Sequence, residues 1–462
     1  MKKFLFLLTA TSVSLWGQVF GQTLITSSIE LANNIVFNSS AQYQKTIGFY
    51  PQRALTCFEA VSEGTYRGFL TIANINGKAK TYKLQPQIMI RDMYQMFFTD
   101  TVYFCGTHII SDIYSGSVDS VGVWGYFVAH TDSTIDQLTY SDVTEVEVLT
   151  NLVTVRMNGH CTMAATGRKN INNAPVFYFV KGYKAPSYNI VEYDICPLNP
   201  QFIPKDIITT DDNVALVSLS KVSNNTFAVR RFFKHDLDNV VRNYLYTYIL
   251  NEGSTFGPKS TFLGCKFNEN GENDIAVVFI GMSLNNSWKT YLKSIYLPTM
   301  QMTNAQHLNM FDKNDIWGIT YLSNRKNLAV LEPFEPNYIH YNPTVVVFKP
   351  SITNNYSSHE FFDRNGNFWQ NVADAYETIW GSSYFICSYT NGNSKYYLTH
   401  DVGVSEADNC LKKYDIEIEI DKTVQPTTIS NPLQFTHHTA YTYGAVLYPY
   451  IETKTASCSN DK

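Results

Sequence analysis

Short runs of β-branched and aromatic residues recur along the whole chain, separated by polar turn residues. A run such as "TVYFCGT", which begins at Thr101, is bounded by Asp, Asn, Gly or Ser. Such runs are typical of strands joined by tight turns, whereas apolar residues at helical spacing are almost absent. The pattern therefore predicts an all-β protein, with helix confined to brief loop segments.

Asn-Gly dipeptides predict where these strands form hairpins. A two-residue type I′ turn needs positive φ at both central residues, and Asn followed by Gly tolerates that conformation best. Five dipeptides qualify: Asn76-Gly77, Asn158-Gly159, Asn270-Gly271, Asn365-Gly366 and Asn391-Gly392. Thr99-Asp100 predicts a further turn, between "IRDMYQMFF" and "TVYFCG". Gly106 is expected to end the second of these strands, which leaves His108 in the following loop.

The most apolar strand of each unit returns at a loose period. Seven such strands start at Ala54, Thr101, Leu152, Asn213, Thr261, Asn327 and Ser382, a mean spacing of 328/6 or about 55 residues. Four strands of ~5–6 residues with their connections use ~40–50 residues, so one unit fits one four-stranded blade. The sequence predicts a β-propeller of about seven four-stranded blades, with six or eight as fallback counts.

Sheet edges are the reason to prefer a ring. A chain with many antiparallel strands must protect its edges, and ring closure does so. The alternative is tandem β-sandwiches, which would need a linker that the middle of the chain does not contain. We expect the propeller to span residues 22–415, and residues 416–462 to form a strand tail that closes it or packs on it.

The N-terminus has the pattern of a secretory signal peptide. Lys2 and Lys3 precede an apolar stretch over residues 4–16, and small or uncharged residues follow as far as Gly21. We expect residues 1–21 to be removed and the chain to be secreted to the periplasm, the outer surface or the medium. Since no later stretch reaches the ~18 apolar residues of a membrane helix, no transmembrane segment is expected.

Charge and aromatic content narrow the classes of partner. The formal net charge is −5 and charged residues make up 16%, so the chain carries no electrostatic footprint for nucleic acid. Aromatic residues reach 15%, and Tyr or Trp on a surface can stack on sugar rings or anchor a partner protein. The predicted ligand-binding residues are Trp124, Tyr126 and Trp369, the first two on one face of the strand in "GVWGYF".

Five of the eight cysteines recur at about the same spacing as the apolar strands, or at twice that spacing: Cys57, Cys105, Cys161, Cys265 and Cys387. Equivalent positions in separate blades lie beyond the ~7 Å Cα separation of a disulfide. Free cysteine behaves as a small buried hydrophobe, so we expect these five thiols in blade cores. Cys410 and Cys458 bracket the tail and are the predicted disulfide of the exported chain.

No metal, cofactor or catalytic motif emerges. Zinc sites need paired ligands at short spacing, and His437-His438 is read instead as a solvated loop. In "FDRNGNFWQ", Asp363, Asn365 and Asn367 could offer oxygens to calcium, but a hairpin turn explains the same residues. A Gly-x-Ser-x-Gly elbow and a phosphate-binding loop are both absent. We therefore assign no catalytic residue, metal or cofactor.

The stretch "IRDMYQMFFTDTVYFCG", followed by "GVWGYF", resembles a repeated strand pair in large secreted proteins of gut and oral Bacteroidota, which are thought to be propeller-like. The resemblance covers residues 88–128 and implies no established activity or catalytic residue. It does imply O-glycosylation at Asp-Ser/Thr followed by an apolar residue or threonine. The acceptors that match are Thr101, Ser120 and Ser133.

These features favour a secreted cell-envelope propeller that binds a glycan or an extracellular partner protein without catalysis. The alternative is a propeller glycoside hydrolase or lyase, which would need carboxylates converging in the central pocket. Carboxylates near predicted strand starts are Asp92, Asp211, Asp212, Asp274, Asp315 and Asp374. A purely structural envelope component stays open as a third interpretation.

Overall fold

A computed structural model describes the strands given below and several of the turns between them. The described residues are 25–30, 35–36, 45–49, 53–62, 65–74, 79–95, 100–111, 118–130, 132, 134–157, 160–184, 190–209, 213–223, 226–233, 243–249, 261–267, 275–284, 289–296, 300–308, 318–321, 328–331, 344–348, 356–361, 372–377, 384–389, 395–401, 411–414, 418–420, 427–430 and 433–452. Side chains are described for part of these, almost all of them within 55–249 and 433–449. The signal-peptide prediction and the predicted Cys410–Cys458 disulfide lie outside the described residues.

The first half of the chain forms one N-terminal strand and four runs of consecutive antiparallel strands. The N-terminal strand is β1 (Ile25–Glu30). The first run contains β2 (Ile35–Val36), β3 (Lys45–Phe49), β4 (Arg53–Ser62), β5 (Thr65–Asn74) and β6 (Ala79–Gln85). The second run contains β7 (Ile88–Gln95), β8 (Thr101–Ser111), β9 (Val118–Val128) and β10 (Leu138–Val143). The third and fourth contain β11 (Val148–Met157), β12 (His160–Ile171), β13 (Ala174–Lys184), β14 (Ile190–Pro197), β15 (Phe202–Thr209), β16 (Asn213–Ser220), β17 (Thr226–Phe233) and β18 (Asn243–Ile249).

The second half continues in the same way and then returns to the earlier sheets. The fifth and sixth runs contain β19 (Thr261–Phe267), β20 (Ile275–Leu284), β21 (Lys289–Tyr296), β22 (Gln301–Leu308), β23 (Gly318–Tyr321), β24 (Leu328–Leu331), β25 (Thr344–Phe348) and β26 (Tyr356–Phe361). The seventh contains β27 (Val372–Glu377), β28 (Tyr384–Tyr389) and β29 (Lys395–Asp401). The tail supplies β30 (Leu411–Tyr414), β31 (Ile418–Ile420), β32 (Thr427–Ser430) and β33 (Thr436–Glu452).

The tail strands pair with the last strands of six runs in reverse chain order. β30 pairs with β26, β31 with β22 and β32 with β18. The long strand β33 then pairs with β14, β10 and β6 in turn, which joins the first three runs into a fourteen-stranded sheet. The seventh run is extended by β1, which pairs antiparallel with β29.

The strand β3 of the first run and the first strand of each later run contact one another in sequence. Beginning with β3, these contacts pass to β7, β11, β15, β19, β23 and β27, and β27 contacts β3 again. The seven apolar segments identified from the sequence each fall in a different one of these runs.

The all-β prediction is confirmed for the described residues, whose strand pairs are antiparallel. Within this part of the chain no helix is long and apolar enough to cross a membrane. The "MNGH" hairpin has the expected register, because Met157 at the end of β11 pairs with His160 at the start of β12. A turn that was not predicted from the sequence joins β12 to β13, where Asn172 and Asn173 adopt positive φ values of 52° and 63°.

One local prediction is wrong. The strand was expected to end at Gly106 and to leave His108 in the following loop, but β8 continues through both residues to Ser111. Glycine is needed there because a Cβ on Gly106 would lie 1.9 Å from the Met89 carbonyl oxygen. The glycine therefore marks a close approach of β7, not the end of a strand.

Candidate ligand-binding site

A shallow cleft of about 310 Å³ opens where β33 crosses the third run of strands. The turn between β10 and β11 contributes Glu145, and β33 contributes Thr436 and His438. Strands β12, β13 and β14 supply the rest of the lining, which consists of Lys169, Ile171, Tyr178, Ile195 and Pro197. The cleft thus combines one carboxylate, one ammonium group, an imidazole, a hydroxyl and an apolar wall.

Glu145 is the centre of the polar contacts in this cleft. Its Oε1 lies 3.0 Å from Nδ1 of His438, and its Oε2 accepts a hydrogen bond from the Tyr193 hydroxyl. The Tyr193 ring also stacks on His438, with centroids 5.4 Å apart and an interplanar angle of 15°. Burial and the neighbouring Glu145 carboxylate raise the pKa of Tyr193 well above its usual range, so its hydroxyl stays a proton donor.

Trp124 packs against Tyr193 on its buried side. Its ring is fully buried and meets Tyr193 edge to face, with centroids 5.9 Å apart and an interplanar angle of 89°. Space for the indole exists because β13 carries a glycine opposite it: a Cβ on Gly182 would lie 2.3 Å from the Trp124 ring. In this position Trp124 fixes the Tyr193 ring that donates to Glu145, and it does not itself reach the surface.

His437, the neighbour of His438, belongs to a second group of polar contacts. Its Nδ1 lies 2.9 Å from Oδ1 of Asp194, whose Oδ2 is 3.1 Å from Nζ of the buried Lys181. Successive strand residues point to opposite faces, so the two histidines of β33 contact different carboxylates. The reading of His437-His438 as a solvated loop is therefore wrong, because both residues lie in β33 and are paired with β14.

The other predicted ligand-binding residues lie elsewhere. Tyr126 is half-buried on β9, where it lies between Tyr103 of β8 and Thr139 of β10 in the sheet register. The Tyr103 and Tyr126 rings are tilted with centroids 6.2 Å apart. Trp369 lies outside the described residues, and its ligand-binding role stays a prediction.

The cysteines for which side chains are described are all buried and free of disulfides: Cys57, Cys105 and Cys196. Desolvation raises the pKa of Cys105 well above its ordinary value, and burial raises that of Cys196 to about 12. Both thiols are therefore poor nucleophiles at neutral pH. The side chains of Cys161, Cys265 and Cys387 lie outside the described residues, so their core placement stays a prediction.

Asp92 is the one candidate carboxylate of the enzyme hypothesis whose side chain the structure describes. It is buried at a bulge in β7, where its Oδ1 accepts the Met93 N–H at 2.9 Å. Its Oδ2 accepts the Leu152 N–H of β11 at 2.8 Å. Both oxygens bind backbone, so Asp92 joins two neighbouring runs of strands. The other candidates, Asp211, Asp212, Asp274, Asp315 and Asp374, lie outside the described side chains.

The glycosylation acceptors implied by the resemblance are placed only in part. Thr101 starts β8 and Ser120 lies in β9, and both are half-buried, while the aspartates preceding them are exposed. Ser133 lies outside the described residues. Their modification stays a prediction.

Comparison with known proteins does not identify a function, so the assignment of a function rests on the contacts described above. No family model matches the chain, and no curated protein is significantly similar to it. Among the described side chains, no group of three or more His, Cys, Asp or Glu residues is arranged to hold a metal ion.

The residues of the cleft could not be predicted from the sequence, for a physical reason. Glu145 and His438 meet only because β33 returns to the third run, and no local pattern reports such a distant contact. The one local pattern is on β12, where alternation places Lys169 and Ile171 on one face of the strand. Nothing local distinguishes that face from any other half-exposed strand.

Proposed function

We propose that this protein is a non-catalytic binding module that takes a glycan in the Glu145 cleft. The observation that carries the proposal is the composition of the lining: Glu145, Lys169 and Thr436 offer acceptors and donors beside the ring of Tyr178. Sugar rings present hydroxyls at their edges and C–H groups on their faces, so they match such a mixed wall. Glu145 is half-exposed and within reach of a ligand hydroxyl.

The same lining argues against the enzyme alternative at this cleft. Glycoside hydrolysis in its usual form needs two carboxylates about 5–9.5 Å apart. Glu145 is the only carboxylate among the described residues that line the cleft, and it is already engaged by His438 and Tyr193. The cleft is therefore suited to holding a sugar, not to cleaving one.

The finer architecture that we propose is a β-propeller of seven blades. It is supported by the seven runs of strands and by first-strand contacts that return from β27 to β3. The pairing of β1 with β29 would close the ring through the N-terminal strand. In this arrangement β30 to β33 add an outer fifth strand to six blades. Secretion to the cell envelope is proposed from the N-terminal pattern alone.

A glycan array, followed by calorimetric titration of any hit, tests the proposed function. We expect Glu145→Gln and Tyr178→Ala each to weaken binding about tenfold or more. The first substitution removes a polar anchor, and the second removes the ring of the apolar wall. Tyr126→Ala is the matched control, because it removes another half-buried tyrosine outside the cleft. Binding lost in Tyr126→Ala and kept in Glu145→Gln would overturn the assignment of the cleft. Release of reducing sugar by the purified protein would instead favour the hydrolase.

A further inference from the structure

We propose that the Glu145 cleft selects acidic glycans, with the Lys169 ammonium group binding a carboxylate or a sulfate of the sugar. This inference rests on the proposed function, because it names the class of glycan that the same cleft takes. It is carried by a difference between the two charged residues of the lining. The Glu145 carboxylate is already engaged by protein groups, whereas Lys169 has no ion-pair partner among the described side chains.

Glu145 brings little uncompensated charge into the cleft. Its Oε1 lies 3.0 Å from Nδ1 of His438, and its Oε2 accepts the Tyr193 hydroxyl. These partners belong to β33 and β14, so they hold the carboxylate at that side of the cleft. Because both oxygens are engaged, the carboxylate opposes a second anion less than a free carboxylate would.

Lys169 belongs to the opposite side of the cleft. Strand β12 is separated from β33 by β13 and β14, which puts the two backbones about 14 Å apart at the usual spacing of strands. The neighbouring Glu147, whose N–H donates to the Arg168 carbonyl, accepts a hydrogen bond from the Asn170 amide at 2.8 Å and forms no ion pair with Lys169. An ammonium group without a partner in a partly enclosed site favours an anionic ligand group.

The surface beside this ammonium group suits the ring of a sugar. Ile171 lies two residues beyond Lys169 on the same face of β12 and is 42% exposed. Tyr178 on β13 and Pro197 on β14 continue the apolar wall. An acidic sugar can therefore pair its anionic group with Lys169, place the C–H face of its ring on the wall and direct hydroxyls towards Glu145. A neutral sugar meets the same wall but leaves Lys169 unpaired.

A glycan array printed with matched sets tests the selection of acidic glycans. Each set contains one oligosaccharide in a neutral form, a form with a glucuronic acid and a form with a sulfate ester. We expect the wild-type protein to bind at least one acidic form about tenfold or more tightly than the neutral form, with dissociation constants measured by calorimetric titration. Preference for the glucuronic acid, for the sulfate ester or for both supports the inference and identifies the anionic group that is bound.

Substitutions at Lys169 test whether this residue causes the preference. Lys169→Gln should abolish it, whereas Lys169→Arg should retain it because the positive charge is kept. Raising NaCl from about 50 to about 500 mM should weaken binding of the acidic forms to the wild-type protein and leave Lys169→Gln almost unchanged. Lys83→Gln is the matched control, because it removes a half-buried lysine of β6 outside the cleft. Circular dichroism checks that each variant is folded.

Failure of this inference can be distinguished from failure of the proposed function. If the wild-type protein binds neutral and acidic forms equally, or if Lys169→Gln keeps the preference, the inference is wrong and the glycan-binding proposal stands. If the wild-type protein binds no member of any set, both are wrong.

Discussion

The molecule is stabilised differently in two regions. One is the contact between neighbouring runs of strands, which we call the seam, and the other is the outer strand β33. At the seam, Asp92 accepts backbone N–H groups from β7 and β11, and Arg91 Nη1 lies 2.6 Å from Oε1 of the buried Glu59. On β33, His437 reaches Asp194 at 2.9 Å while its side chain stays 58% exposed. The two regions therefore use similar polar groups in opposite dielectric surroundings.

This difference decides what each region can do. A buried acceptor that loses its partner leaves an N–H group without water, so the seam tolerates little change. An exposed pair can exchange its partner for water at small cost, so β33 can vary or bind another molecule. The candidate ligand site involves β33, whereas Asp92, one of the carboxylates named for the enzyme hypothesis, lies in the seam.

The largest expected effect comes from adding one methyl group in the interior, between β7 and β8 of the second run. In Gly106→Ala the new Cβ would lie 1.9 Å from the Met89 carbonyl oxygen, which is backbone and cannot turn aside. We expect the free energy of unfolding to fall by about 3 kcal/mol, as in strongly overpacked cores. Urea unfolding followed by circular dichroism measures this value.

The matched control for that substitution is Gly444→Ala on β33. There the new Cβ would meet only the side chain of Gln137, whose amide nitrogen is 2.2 Å away and is exposed and flexible. The loss should stay below about 1 kcal/mol. Equal losses for the two variants would contradict the distinction between the interior and the outer strand.

Removal of the Asp92 carboxylate should have the next largest effect. Asp92→Ala leaves the Leu152 N–H buried without its acceptor, and we expect a loss of about 2 kcal/mol in the free energy of unfolding. Asp132→Ala serves as control, because Asp132 is exposed and bonds only Thr134 within its own turn. If Asp92→Ala abolished catalysis of some reaction without loss of stability, the structural role of Asp92 would be wrong.

The contrast between the two regions also explains what could be predicted from sequence. Strands and Asn-Gly turns are local, so the alternating pattern located β8 and the hairpin between Met157 and His160. The prediction for Gly106 was wrong because the atom that requires a glycine there, the Met89 carbonyl oxygen, lies on another strand. The site depends on still more distant pairs: Glu145 meets His438 only after the tail has paired with the sixth, fifth and fourth runs and β33 has reached the third.

Alkaline pH gives a third measure of burial, which is smaller for each pH unit than the effect of either substitution. Because burial raises the pKa of Cys196 from 9.0 to about 12, the folded protein keeps a proton that the unfolded chain loses in this range. Stability should therefore fall as pH rises from 9 towards 12, by about 1.4 kcal/mol per pH unit for this one group. Urea unfolding at pH 9 and above measures the slope. In Cys196→Ala the slope should be shallower, since the tyrosines still titrate; an unchanged slope would contradict this account.

The smallest expected effect lies on β33 itself. His437→Ala removes the exposed contact with Asp194, but Lys181 still neutralises that carboxylate from the buried side at 3.1 Å. We therefore expect a loss of about 0.5 kcal/mol or less, and a smaller one in high salt. Urea unfolding of His437→Ala beside Lys181→Met compares the two partners of Asp194. Since Lys181 is buried, its removal should leave the carboxylate uncompensated and cost several times more. A larger loss for His437→Ala than for Lys181→Met would show that the outer strand, and not the interior, determines the stability of this sheet.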